Sequence, residues 1–143
     1  MEQKSKSPLA LMEQAVMILI FAFAAALCVQ VFQKADAISK DLETRDRATV
    51  ISQTVAETVK ALHGDFDLAA KRLGGKAEEK KLLLWYDSEW NAAHRENAVY
   101  ELSLSCSETT KYLVKSELCI VKVDENKELF RLPVSWQKEV SDE

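Results

Sequence analysis

The chain has 143 residues, of which 48% are hydrophobic, and its formal net charge is −4 at pH 7. The acidic balance argues against a nucleic-acid-binding protein, which normally carries a basic face. Its three cysteines are too few for a disulfide-stapled scaffold, and the length suits one modest domain beside a membrane segment.

An apolar run at residues 15–32 contains Gln30 as its only strongly polar side chain. A helix of this length spans a hydrocarbon core about 30 Å thick. The run is apolar on all faces, and the remaining chain is too small to surround it, so a buried core helix fits poorly. The sequence therefore predicts a short basic leader or cytoplasmic tail at 1–8 and a transmembrane helix at 9–32, in contact with membrane lipid.

The flanking charges bear on the orientation of this helix. Short tails before a first span tend to stay inside, and this tail carries Lys4 and Lys6. Four basic residues at 34–47 weaken the charge asymmetry. We predict a single-pass cell-membrane protein with a cytoplasmic N-terminus and an extracytoplasmic C-terminal domain.

Two processing events are alternatives to a permanent anchor. Ala24-Ala25-Ala26 satisfies the small-x-small rule of a signal-peptidase site, although the apolar run continues to Phe32 without a polar break. Lipidation of Cys28 is the second alternative, but Leu27 precedes it where a lipoprotein signal has a small residue. Cys28 is more simply a small apolar residue facing lipid or another helix.

Helical periodicity continues beyond the apolar run. Most steps between successive apolar residues are three or four positions, although Arg45 and Asp46 interrupt the stripe, and no glycine or proline occurs between Phe32 and Leu62. The apolar stripe consists of Val31, Ala35, Ile38, Leu42, Ile51, Val55, Val59 and Leu62. We predict an extended helical stalk at 33–63 that ends near Gly64.

The remainder, 64–143, is predicted to form a distal α+β domain. A short helix is expected at Phe66–Leu73, ended by Gly74-Gly75. A lysine- and glutamate-rich run follows at 76–81, and its residues 78–81 are expected to form a solvated loop. Strands are expected at 82–86, 98–106, 111–123 and 129–136. Short links without helices predict an antiparallel sheet, and the stalk is the only large element available to cover it.

The segment Leu9-Ala10-Leu11-Met12-Glu13, followed by the apolar run, resembles the N-terminus of type IV pilins and type II secretion pseudopilins. The resemblance implies leader cleavage between Pro8 and Leu9, which makes Glu13 the fifth mature residue. Pro8 departs from the glycine that the family has at this site. Partners implied by the resemblance are other pilin-like subunits and an inner-membrane assembly platform.

In that family the equivalent carboxylate pairs with the terminal amine of a neighbouring subunit and sets the assembly register. Glu13 is accordingly the candidate assembly residue. A carboxylate at the edge of a span is costly unless it is paired or solvated. The alternative is that Glu13 lies ionised and hydrated among the lipid headgroups.

No catalytic pattern emerges from the other polar residues, and neither an enzyme nor a cofactor is predicted. His63 and His94 lack the spacing of a metal motif. A turn at 107–110 would put Cys119 opposite Ala98, far from Cys106, which does not favour a disulfide between Cys106 and Cys119. Tryptophans at 85, 90 and 136 are more typical of sheet packing than of a ligand platform.

Three functions follow, in order of preference. The first is a pilin-like structural subunit of a secretion or pilus-type filament. The second is a single-span anchored extracytoplasmic binding or sensing module that does not assemble. The third is a secreted domain released after Ala26. Leader processing and retention in a filament distinguish them.

Overall fold

A computed structural model describes residues 6–138, in two compact units that meet between Leu42 and Glu43. We call the described parts the N-terminal unit (6–42) and the C-terminal unit (43–138). The elements, in chain order, are α1 (Lys6–Ala61), α2 (Phe66–Leu73), β1 (Lys76–Glu78), β2 (Lys81–Tyr86), β3 (Tyr100–Thr109), β4 (Leu113–Lys122) and β5 (Lys127–Gln137). A 3₁₀ turn at Arg95–Asn97 lies between β2 and β3.

The N-terminal unit consists of α1 alone. Every side chain from 7 to 42 is exposed, and the large apolar ones range from 48% exposed at Leu27 to 79% at Phe21. The helix is long and apolar enough to cross a membrane.

The C-terminal unit contains a five-stranded antiparallel sheet in the order β1-β2-β3-β4-β5. Alternation places one side of each strand in the core, as in β3, where Tyr100, Leu102 and Leu104 are buried. The end of α1 packs on this face. The predicted α+β class, with a long helix packed on a small antiparallel sheet, is confirmed.

The buried face of α1 is narrow where it meets the sheet. Ala48, Ser52, Val55 and Val59 are at most 1% exposed, and they recur at the spacing of one helix face. The Ser52 hydroxyl donates to the Ala48 carbonyl at 2.7 Å, which satisfies it without a partner in the sheet.

A tight turn joins α1 to α2. Gly64 has φ +82°, and a Cβ at this position would overlap the indole of Trp136. Asp65 caps α2 because its carboxylate accepts a hydrogen bond from the Leu68 amide at 3.0 Å. Gly74 ends α2 in the left-handed conformation at φ +76°. The prediction of a helix at Phe66–Leu73 is confirmed.

Two local predictions were wrong. The loop expected at 78–81 is only a tight turn at 79–80, because Lys76–Glu78 forms β1 and pairs with β2, which begins at Lys81. β3 continues to Thr109, so the β3–β4 turn lies three residues later than expected. A bulge between Cys106 and Glu108 adds to the shift. As a result Cys119 lies opposite Ser103, and Cys106 lies opposite Ser116.

Candidate functional site

The residues that the sequence assigns to processing and assembly lie in the first turns of α1. Pro8 and Leu9 follow the start of the helix at Lys6, where proline is tolerated because the first amides have no acceptor within the helix. Glu13 is exposed one turn after Leu9, on the same helix face. It borders a shallow hollow of about 480 Å³ together with Ala10, Gln14, Met17 and Ile18. Residues 1–5 of the predicted leader lie outside the described part of the chain.

The two domain cysteines lie on opposite faces of the sheet. Cys106 is on the core face, where its sulfur accepts a hydrogen bond from the Ser116 hydroxyl at 3.5 Å. Cys119 is on the outer face, one register position from the buried Leu118. Both thiols are free. The predicted register was wrong, but the observed register still keeps the two cysteines three positions apart along the ladder, and they lie on opposite faces of the sheet.

Charged side chains cover much of the outer face. Arg131 donates to Glu117 at 2.8 Å and to Glu128 at 2.7 Å. Its hydrogen bond lowers the pKa of the Glu128 carboxyl, whereas burial, followed by the charge of Glu128, raises the pKa of the Cys119 thiol. A thiol with a raised pKa is a poor nucleophile at neutral pH. Because its charged side chains form exposed ion pairs, this face has the character of a solvated surface.

The loop between β2 and β3 holds Trp90 in an unusual backbone conformation, with φ +66°. The Asp87 carboxylate accepts hydrogen bonds from the amides of Glu89 and Asn91, both at 2.9 Å. These bonds, the Asn91 bond first, lower the pKa of Asp87. The turn directs Trp90 back onto Tyr100, and the two rings stack at 4.0 Å with 5° between their planes. Trp90 is thus held rigidly at the end of the sheet where β3 begins.

An open cleft of about 590 Å³ lies between this loop and the nearby turns of α1; we call it the Trp90 cleft. Its lining includes the carboxylates of Glu43, Asp46 and Glu89 and the exposed side chain of Val50. Arg47 also lines it, paired with Glu43 at 3.5 Å. One face of the Trp90 ring is covered by Tyr100, so the opposite face or the ring edge borders the cleft. The cleft combines an aromatic surface with an excess of negative charge.

The β3–β4 turn, residues 110–112, lies at the far end of β3; we call it the hairpin tip. Tyr112 is 61% exposed there, with the Lys111 ammonium 5.3 Å from the centre of its ring. The Tyr112 carbonyl accepts a hydrogen bond from the Lys138 amide at 3.1 Å, which brings a second lysine to the tip. The Thr110 hydroxyl bonds the backbone of Leu113 and closes the turn.

A second hollow of about 440 Å³ lies near the hairpin tip. Its lining includes His63, Cys106 and Trp136. The Cys106 sulfur accepts a hydrogen bond from the Ser116 hydroxyl. Within residues 6–138 no cluster of three or more His, Cys, Asp or Glu side chains is positioned to hold a metal ion.

Sequence reasoning missed the cleft and the hairpin tip. The available signal was Asp87 four residues before Asn91, because aspartate commonly closes such a turn with its side chain. The stacking of Trp90 on Tyr100 joins residues ten apart and depends on the left-handed backbone at Trp90, which non-glycine residues seldom adopt. Nothing local in the sequence indicates that contact.

Comparisons with protein-family models, with curated proteins and with solved structures found no match for this chain.

Proposed function

We propose that the chain is a pilin-like structural subunit that is anchored by its N-terminal helix and works by assembly. The observation that carries the proposal is α1 itself: one helix from Lys6 to Ala61, with every side chain from 7 to 42 exposed. Each large apolar side chain left in water forgoes about 1.5–3 kcal/mol of burial. Contact with lipid or with other helices removes these side chains from water, and an assembly of subunits in a membrane supplies both kinds of contact.

The proposed topology is single-pass, with the N-terminus in the cytoplasm and the C-terminal unit outside. It is supported by Lys4 and Lys6 before the apolar run and by the short length of that tail. The C-terminal unit has a complete core of its own, so its polar surface suits an aqueous compartment.

Within this proposal Glu13 pairs with the terminal amine of a neighbouring subunit. The reason is physical as well as familial, because a carboxylate beside an apolar run is stabilised by an opposite charge. Glu13→Gln keeps the side-chain size and removes the charge. We expect it to reduce assembly strongly, while Glu57→Gln, an equal charge change at an exposed position of α1, leaves assembly unchanged.

The first experiment is intact-mass measurement with N-terminal sequencing of the protein recovered from carbonate-washed native membranes. A chain that begins at Leu9, particularly with a methylated amine, is the expected result for a pilin-like subunit. A membrane-bound chain that retains Pro8 would remove the proposed partner of Glu13 and favour the anchored binding module. A chain that begins after Ala26 and is found in the medium would refute anchoring altogether.

A further inference from the structure

We propose that the hairpin tip of one copy of this chain docks into the Trp90 cleft of the next copy, head to tail. The inference rests on the proposed assembly function, because it names the contact through which extracytoplasmic parts of neighbouring subunits meet. The occupant is a second copy of this chain.

Charge complementarity supports this pairing. The cleft lining carries three carboxylates against one guanidinium, Arg47, which is already paired with Glu43. The hairpin tip presents Lys111 and is joined by Lys138 through the Tyr112 carbonyl. Opposite potentials on two surfaces of one molecule favour this encounter and disfavour cleft-to-cleft or tip-to-tip pairing.

The apolar groups are also complementary. Tyr112 is exposed at the tip, while Val50, 62% exposed, and Trp90 border the cleft. A cleft of about 590 Å³ has room for an aromatic side chain together with a neighbouring lysine stem. An amphipathic aromatic residue with a cation beside it suits a site made of an indole and carboxylates.

The positions of the two surfaces determine the type of assembly. Trp90 stacks on Tyr100, the first residue of β3, and the hairpin tip follows Thr109, the last. Ten residues of strand at about 3.4 Å each separate them by roughly 30 Å. A contact between different patches is heterologous, so it repeats from copy to copy and generates an open chain unless its rotation closes a ring.

The contact area is small, which by itself predicts weak association. Copies confined to one membrane meet at high effective concentration, and a weak contact then suffices. The inferred contact therefore adds to assembly through the helices and does not replace it.

Disulfide trapping in the full chain in native membranes tests the inference. The parent carries Cys28→Ser and Cys119→Ser, so that neither of these free thiols can cross-link. The added substitutions are Asn91→Cys in the cleft and Thr109→Cys, an exposed position beside the tip that leaves Tyr112 in place. The doubly substituted chain should oxidise to a ladder of multimers. Each single variant alone should stay monomeric, and a mixture of the two should stop at dimers. Dimers from either single variant would show a symmetric contact and overturn the proposal, as would the absence of a ladder.

Charge reversal in the same doubly substituted chain tests the proposed charge pairing. In the doubly substituted chain, Lys111→Glu should reduce the ladder roughly 5-fold, and adding Glu89→Lys should restore it. Lys71→Glu, an equal charge change at an exposed position of α2, should leave the ladder intact. Failure of Glu89→Lys to restore the ladder would overturn the pairing.

Carbonate extraction and the N-terminal start of the same samples separate the two proposals. Chains that are anchored and begin at Leu9 but form no ladder refute the tip-to-cleft contact alone. Chains lost from the membrane refute the proposed function and this inference together.

Discussion

Residues 15–32 and residues 48–59 belong to the same helix, α1, yet differ completely in burial. In the first segment every side chain is exposed, whereas in the second Ala48, Ser52, Val55 and Val59 are buried on one face. The first segment is apolar on all sides, so contact with a sheet on one side would leave its other apolar side chains exposed. In the second segment apolar and polar residues alternate with the period of a helix, so the apolar residues share one face, and the sheet covers that face. The distribution of apolar residues around the helix, and not helical propensity, separates the two behaviours.

Core truncation should give the largest effect and tests this contrast directly. Leu118 is fully buried in β4, and Leu118→Ala should lower the free energy of unfolding of the C-terminal unit by about 2–5 kcal/mol. Leu27→Ala, the same change at an exposed position of the N-terminal unit, should leave it unchanged. Denaturation of the full chain in detergent, followed by tryptophan fluorescence, reports on this unit alone because all three tryptophans lie in it. An equal shift from Leu27→Ala would mean that the two segments are not energetically distinct.

The end of α1 provides the next test. Gly64→Ala introduces an alanine in the left-handed conformation, and its Cβ overlaps Trp136. We therefore expect the free energy of unfolding to fall by about 2–4 kcal/mol. Gly74→Ala has a similar φ but no atom within 4 Å of the new Cβ, so only the backbone cost of about 1 kcal/mol applies. The same denaturation assay measures both. Equal losses would show that Trp136 moves aside and does not fix where the buried part of α1 ends.

The sequence predicted much of this contrast because both patterns are long. Helical periodicity placed Val55 and Val59 on one face of the stalk, which is the buried face of α1, and alternation at 98–106 predicted β3. Ala48 and Ser52 escaped prediction, because a small or hydroxylated residue does not itself mark a buried face, and these two are buried by their position on the same helix face as Val55 and Val59. β1 escaped because its Lys-Ala-Glu sequence has no apolar alternation to mark it, and its pairing with β2 decides its structure.

The candidate surfaces were less predictable than the fold. Pro8, Leu9 and Glu13 came from a family resemblance, and their roles remain predictions. The Trp90 cleft depends on contacts between α1, the β2–β3 loop and the start of β3, which are distant in sequence. The hairpin tip was misplaced because Ser107–Thr110 has turn-forming residues, but the Cys106/Glu108 bulge lets β3 continue through them.

The cap of α2 should have a smaller effect than the glycine substitution at 64. Asp65→Ala removes the acceptor of the Leu68 amide and should cost about 1 kcal/mol. Asp65→Asn keeps a side-chain oxygen at the same place and should retain most of the stability. Both are measured by denaturation at one pH. If Asp65→Asn lowers the free energy of unfolding as much as Asp65→Ala does, the turn that follows α1 is stabilised by the carboxylate charge and not by the cap hydrogen bond.

The smallest expected effect is the pH dependence contributed by Asp87, which is local to the C-terminal unit. Its folded pKa is lowered, mainly by the Asn91 amide, so its ionised form stabilises the folded state. That contribution is fully present above the unfolded pKa of about 3.9 and is lost as the pH falls through the lower folded value. The difference in unfolding free energy between the parent and Asp87→Asn should therefore shrink as the pH falls from about 6 to 3. Glu125 and Glu128, whose pKa values are also lowered, are present in both chains and cancel in the difference. A difference that stays constant over this pH range would contradict the stabilising role of the Asp87 carboxylate in this turn.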